Sequence, residues 1–402
     1  MPSPDNAMRT SAFRTSPQCE IVLFDRLGDH ERAALADLRA QRDFYGILRR
    51  RDAADGSGPR SVRAVDRDMA LLLLTLRDAG PLPSYVNESD PAFDGICRLV
   101  LDGFVEISDG PEFVTGSRAA AVLLPGRSTG GARHRLAQLS WDAVEYGAAL
   151  PLDDRGTLAM RLYAFNRLPL TAAHAARHPD AASILDPLVD DGRLRAEGWG
   201  VTHANGGHWI NFGRQPRGRR AGLSAAPGGT SCKLYVSPAP SGLADAFREL
   251  LLALEAHDVR NFKVAGNAAG LLRPDKLVAY FDDQATLLAV GDRLADRLRG
   301  LPAQGVPFTA PIDADGLLSW GADPPAAARP LSWLPQQSWR SWITQSLAGA
   351  LIDARRDPGD GATAPARFAV QRLQFEGVDV DRWAPMQTLW RDAALAGASI
   401  TL

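Results

Sequence analysis

Residues 261–281 read NFKVAGNAAGLLRPDKLVAYF. Two short apolar stretches, NFKVAG and KLVAYF, flank a Gly/Ala-rich turn, and each reads as a β-strand. Three cations, Lys263, Arg273 and Lys276, surround that one short connection. In a chain of 402 residues with a formal net charge of -2, such local crowding needs a reason.

The segments on either side continue the same texture. Upstream, GWGVTHANGGHWINFG at 198–213 reads as a hairpin with NGG as its turn, and CKLYVSPAP at 232–240 as a strand ended by prolines. SGLADAFRELLLALEAHD at 241–258 carries an apolar helical stripe behind a candidate serine cap. Downstream, 284–300 and 335–356 are further helices. Strands alternate with helices, but hairpins intervene. The expected class is therefore α+β, a mixed or antiparallel sheet flanked by helices, rather than a wound parallel sheet.

The first half differs. After a loose arm at 1–20, the residues 29–50 have helical spacing and good helix formers, and 65–80 read as a second helix. DGFVEI at 102–107 is strand-like, and LLPGRSTGGARHR at 123–135 is a turn-rich basic loop. Helical patterns then run to about residue 185. The expected organisation is an arm (1–20), a mainly helical N-terminal domain (21–185), an α+β domain (186–357), and a linker with a small C-terminal element (358–402).

Apolar residues at 45% and charged residues at 23% mark a globular chain. Near-neutral charge, without aromatics interleaved along a basic stripe, argues against nucleic acid and against an anionic membrane as partner. Cys19, Cys97 and Cys232 have neither disulfide nor metal-ligand spacing, the N-terminus lacks a signal-like apolar stretch, and MALLLLTL at 69–76 is too short to span a bilayer. A soluble, cytoplasmic protein is expected.

Charge is segregated. Residues 198–244 hold no Asp or Glu but carry Arg214, Arg217, Arg219, Arg220, Lys233, His203 and His208. A second acid-free window, 324–352, carries Arg329 and Arg340. No phosphate-binding P-loop, dinucleotide fingerprint, zinc motif, kinase signature or hydrolase serine elbow accounts for these cations. His203 and His208 lack nearby acids or cysteines, so neither a metal nor another cofactor is expected. Cations without a metal or an activated serine suit a phosphate and its departure, with arginine as a planar fork and lysine as a point charge able to lose its proton when desolvated. Lys263, framed as F-K-V near Arg273, is the candidate general base, and His208 the candidate acid. Plainer readings stand beside these. Lys263 can project from an edge strand, and His208 can be a structural hydrogen-bonding residue. Arg217, Arg219 and Arg220 suit a solvent loop, Arg273 suits a turn paired to Asp275, and Trp333, Trp339 and Trp342 suit a packed helix face.

The succession CKLYVSPAP, helix, VRNFKVAGNAAGLLRPDKLVAYF, helix, GVPFTAPIDADGLLSWGADPP, over roughly 200–355, resembles the HopA-type effector family of bacterial type III effectors and peptide-modification clusters. By that resemblance Lys233 and Tyr235 stand for the family's R-x-Y, Lys263 for its lysine after PF, Arg273 and Asp275 for its R-x-D, and Arg340 for the arginine of a helical SFG-x-x-R. Lys233 replaces arginine, NF replaces PF, and SW replaces SFG. The resemblance implies a phosphoserine/phosphothreonine lyase. It would act beside a kinase-like enzyme, with a cyclase as a further partner, on a phosphorylated precursor peptide of class V lanthipeptide or thioamitide type, giving dehydroalanine or dehydrobutyrine. Lys233, Arg273 and Arg340 would hold the phosphate, Lys263 and His208 would move protons, and Tyr235, Asp275 and Lys276 would support them. Strands around 198–213 and 232–240 would offer backbone bonds to an extended peptide, and the N-terminal domain would contact the leader. The alternatives are a non-catalytic scaffold that binds the peptide or the kinase, or a secreted effector acting on host phosphoproteins.

Overall fold

The computed structural model describes residues 11–39, 43–51, 61–84, 86, 91–123, 134–188, 194, 197–204, 207–214, 232–324, 337–356, 361–386 and 399–401. The first half opens with β1 (Phe13–Thr15), β2 (Cys19–Leu23), α1 (Asp29–Ala34), α2 (Ala36–Arg39), β3 (Phe44–Arg50) and β4 (Ser61–Asp66). Next come α3 (Arg67–Thr75), α4 (Pro91–Leu101), β5 (Val105–Asp109), β6 (Glu112–Val114), α5 (Gly116–Leu123), α6 (Arg135–Ala149), α7 (Arg155–Tyr163), α8 (Ala172–Arg177) and α9 (Ala181–Leu185).

The helix expected across 29–50 is a correction. Among the described residues only α1 and α2 form there, and FYGILRR becomes β3, paired with both β2 and β4. Gly46 explains why: a Cβ there would lie 2.5 Å from the Val22 carbonyl oxygen, so the two strands close over a residue that also weakens a helix. Tertiary pairing outweighs the local helical spacing. The basic loop at 123–135 and the arginines 217, 219, 220 and 329, with Trp333, lie outside the described residues, save for Leu123 at the end of α5 and His134 and Arg135 at the start of α6.

The second half carries β7 (Trp199–Ala204), β8 (Trp209–Arg214), β9 (Cys232–Val236), α10 (Leu243–Ala256), β10 (Asn261–Ala265), α11 (Ala268–Leu271), β11 (Leu277–Phe281), α12 (Gln284–Arg297), β12 (Ala310–Pro311) and β13 (Leu318–Ala322). Its seven strands form one sheet in the order β12-β13-β9-β11-β10-β8-β7, with every pairing antiparallel. The class is α+β. The hairpin read from ANGGHW is the β7–β8 pair, and NFKVA and LVAYF pair as β10 and β11. α10 starts later than its serine suggests. Pro240–Gly242 form a 3-10 turn, and Gly242 caps the helix without a side-chain bond. Asp283 does cap α12, accepting from the Thr286 amide at 2.7 Å.

One sheet face is dry. Phe212 and Phe262 stack at 4.4 Å between ring centres and meet Phe247 of α10 at 5.5 and 5.6 Å. Leu250 and Leu254 of α10 and Leu287, Val290 and Leu294 of α12 complete that core. Because side chains alternate along a strand, Lys263 must point to the other face from Phe262 and Val264.

Two further helices follow, α13 (Trp339–Arg356) and α14 (Pro365–Phe375), then the short strands β14 (Val378–Asp379), β15 (Ala384–Pro385) and β16 (Ser399–Thr401). Ile343, Leu347 and Leu351 of α13 and Phe368 and Leu373 of α14 are buried in one core with Val144, Leu158 and Leu162 of α6 and α7. β16 joins β2, β3 and β4 in a four-stranded sheet. The last third of the chain thus closes the core of the first. Among the described residues, no helix is long and apolar enough to cross a membrane.

Candidate active site

Strand register decides which side chains share the polar face. Lys263 on β10 lies opposite Asn211 on β8 and Val278 on β11; Val278 lies opposite Tyr235 on β9, and Tyr280 opposite Lys233. Tyr235 and Lys233 in turn lie opposite Ser319 and Gly321 on β13, and Trp209 opposite Ala265. Lys263, Lys233, Tyr235, Tyr280 and Trp209 therefore stand on one side of the sheet. His203 does not: it pairs with Ile210, which shares the dry face with Val264.

Lys263 sits among rings. Its Nζ is 4.1 Å from the centre of the Trp209 ring and 5.5 Å from that of Tyr280. Among the described residues it has no hydrogen-bond or ion-pair partner. Burial, helped by the Lys233 cation, pushes its amine down to about 8; Asp275 and Asp323 only partly oppose this.

Arg273 leaves α11 and turns back to the same ring, with its guanidinium carbon 5.0 Å from the Trp209 centre. The turn reading of R-P-D also holds: Arg273 Nε and Nη2 each donate to Asp275 at 2.9 Å, a side-on fork. The loop that carries it is pinned from both sides. Asn267 accepts from the Gly270 amide at 2.7 Å, the Gly266 amide donates to the His208 carbonyl at 2.9 Å, and Arg167 and His174 donate to the Ala269 and Ala268 carbonyls. Gly266 is required there, since a Cβ would lie 2.4 Å from the Gly207 carbonyl oxygen.

Asp275 is the hub. It is 3% exposed and takes, besides Arg273, the Tyr163 hydroxyl at 3.1 Å and Arg340 Nη1 at 2.8 Å. Burial alone would raise its pKa, but Arg340, Arg273 and these bonds outweigh burial and hold the carboxyl far below the usual range. Arg340 is fully buried. Its Nε and Nη2 donate to the Pro307 and Tyr163 carbonyls, and its guanidinium lies 4.3 Å over the Tyr163 ring. Each guanidinium nitrogen of Arg340 thus donates to a protein acceptor, and the side chain lies behind Asp275.

Lys233 pairs with Asp323, whose other oxygen accepts from the Trp339 amide at 2.9 Å. Asp323 therefore ties Lys233 to the first residue of α13, and Arg340 is the second. Gly321 makes room for this helix: a Cβ would lie 2.4 Å from Trp339 Cδ1. Lys276 is wholly buried, donates to the Pro238 carbonyl at 2.7 Å and to Gln304 Oε1, and has its amine pushed down to about 7 by burial. These bonds tie the start of β11 to the loops that carry Pro238 and Gln304. Tyr235 is buried, and burial first, then neighbouring Tyr163, with Asp323 and Asp275 and against Arg340, raise its phenol well above the ordinary range. His208 is exposed at the end of the β7–β8 turn, and its Nδ1 lies 2.9 Å from Asn267 Nδ2.

The register thus gathers Lys263 and Lys233, and Trp209 brings Arg273 to them. Arg340, Lys276 and Asp275 lie behind, as supports. Tyr163, Tyr280, Trp209 as a ring platform, and Asp323 escaped the sequence reading. Tyr280 had a signal, two positions after Val278 in an alternating strand; Tyr163, over a hundred residues away, had none.

Backbone bonding to a peptide is limited by topology. β8 and β9 each have a neighbour on both sides, so of β7, β8 and β9 only the outer edge of β7 is open among the described residues; β12 is the opposite edge of the sheet. The expectation that 232–240 offers backbone bonds is corrected, because β11 and β13 already use them.

No protein-family model matches the chain, and no curated protein sequence matches it. Solved structures do align. An effector protein from Pseudomonas syringae pv. tomato strain DC3000 gives a TM-score of 0.38 at 14% identity, over 62% of this chain and 98% of its own. An effector from Pseudomonas syringae pv. syringae strain 61 gives 0.37 at 18% identity, over 64% and 99%. A phosphothreonine lyase gives 0.23 at 12% identity, over 46% and 84%. Likenesses this low carry no functional conclusion.

Proposed function

We propose that the protein is a metal-independent phosphoserine/phosphothreonine lyase of HopA type. The observation that carries this reading is the setting of Lys263: a lysine without a partner among the described residues, its amine held down to about 8, beside Lys233 and Arg273 on one sheet face. The sequence resemblance supplies the reaction class, and the geometry supplies groups suited to it.

The step balances simply. Neutral Lys263 Nζ takes the α-proton; the C–H electrons form the Cα–Cβ double bond; the Cβ–O bond breaks and phosphate leaves with its electron pair. Arg273, which spends Nε and Nη2 on Asp275, has Nη1 for the phosphate. Lys233 shares its charge between Asp323 and the ligand. His208, exposed at the rim, is the proposed proton donor to the departing oxygen. Tyr235, kept protonated, is a further donor towards the reacting group. Cations fixed before charge develops act where they stabilise most.

A peptide paired to the β7 edge would stand three strand spacings from β10, roughly 14 Å. The phosphorylated residue must therefore cross the polar face rather than extend the sheet. The proposed substrate is a phosphorylated precursor peptide of the lanthipeptide or thioamitide kind, supplied by a kinase-like partner, with a cyclase acting on the product. The scaffold alternative predicts cations dispersed away from one another, which this arrangement disfavours.

Intact-mass spectrometry of a phosphopeptide after incubation tests the reading. Loss of the elements of phosphoric acid, with a thiol-reactive product abolished by Lys263→Met, supports elimination. Loss of the elements of metaphosphoric acid means hydrolysis, and an unchanged peptide that co-purifies means a scaffold.

A further inference from the structure

Lys263 and Arg273 reach the same aromatic ring from different elements. Lys263 comes from β10 and Arg273 from the end of the α11 loop, yet both face Trp209, at 4.1 and 5.0 Å. Trp209 is itself 8% exposed. Its backbone neighbours are fixed: the His208 carbonyl accepts from Gly266, the His208 ring meets Asn267, and the chain at Gly207 touches Gly266 too closely for any Cβ. The Arg273 guanidinium has a second anchor in Asp275, whereas the Lys263 amine has, among the described residues, only the rings of Trp209 and Tyr280 to orient it.

From this we infer that Trp209 is the positioning residue of the site. It holds base and phosphate-binding cation against one ring, and it excludes water from the lysine. A ring face attracts a cation at this distance, and the indole is the strongest such face among the side chains. Two like charges brought together would otherwise separate, and a lysine with four rotatable bonds would sample solvent. The ring offsets the repulsion while its bulk keeps the amine dry. Trp209 touches neither proton nor phosphate in this role; it acts through Lys263 and Arg273. The inference rests on the lyase reading for its catalytic meaning, but the lysine's placement can be read without turnover.

The test compares Trp209→Phe, which keeps a ring, with Trp209→Leu, which keeps only apolar bulk. Folding of each is checked by its thermal transition. Lys263 is titrated by pH-dependent acylation with an anhydride and peptide mass spectrometry, independently of any substrate. In the wild type, labelling should rise through pH about 8. In Trp209→Leu, water reaches the amine, and this rehydration outweighs the lost ring attraction, so the midpoint moves up by about one pH unit. Trp209→Phe should stay near wild type. With a phosphopeptide, Trp209→Leu should lose roughly tenfold or more in kcat with KM changed less than threefold, and its acid limb should shift like the labelling midpoint. Unmoved midpoints in folded variants, or equal losses in Phe and Leu, overturn the inference. A wild type that titrates as expected but never releases phosphate overturns the lyase reading and leaves the positioning role standing.

Discussion

Arg340 Nη1 lies 2.8 Å from Asp275 Oδ2, with both side chains removed from water. The pair joins the first turn of α13 to the loop that carries Arg273, so the buried Arg340 braces the carboxylate that holds the Arg273 guanidinium. Removing one member of a buried pair leaves the other charged and unpaired. Arg340→Met should cost about 3–5 kcal/mol of stability, read from denaturant midpoints. In variants that remain folded, phosphate affinity should show coupling between Arg340→Lys and Arg273→Met, since Arg340 acts through Asp275. Strict additivity would mean that Arg340 does not act through Arg273.

The base predicts the pH dependence. The neutral amine is the active form, so kcat/KM should rise with pH through about 8. Lys233 is one of the charges that lowers this value. Lys233→Met should therefore move the limb upward, besides weakening phosphate binding. A limb that stays put would separate Lys233 from the base.

Lys276 makes stability depend on pH with a definite sign. Its folded pKa is about 7 against an ordinary value of 10.5, so the unfolded chain binds more protons between these values. Stability must rise with pH across that window and fall as pH drops towards 7. Lys263, held at about 8, adds in the same direction. Urea midpoints at pH 7 and pH 10 should differ less in Lys276→Met than in the wild type, whatever the variant's overall loss. An equal difference in both would show that the buried amine is not the source.

Gly266→Ala tests the loop contact. The added Cβ would meet the Gly207 carbonyl at 2.4 Å, and backbone cannot yield as a flexible side chain can. A loss of about 1–3 kcal/mol is expected, with phosphate binding reduced as the loop bearing Arg273 parts from Trp209. A variant with wild-type melting and binding would remove the tight approach as a requirement of the site.

Much of the second half was legible because its signals are local. Alternation in NFKVA and LVAYF, the NGG turn and the stripe of Phe247, Leu250 and Leu254 each give their element without knowledge of the rest. At 29–50 the local signal misled, because FYGILRR is held as a strand by β2 and β4. The site was half legible. Lys233 stood out in an acid-free window and Lys263 and Arg273 as cations around one short loop, but Arg340, also in an acid-free window, is wholly buried behind them.

By itself the sequence determined the α+β class, the strands β7 to β11 and the kind of charge they carry, since periodicity and turn chemistry act over a few residues; β12 and β13 came only with the tertiary structure. Tertiary structure alone decided which cations meet. Tyr163 reaches Asp275 from α7, and Trp339 and Arg340 brace Asp323 and Asp275 from α13. Contacts between distant segments follow from how helices and sheet pack, and no local pattern encodes that packing.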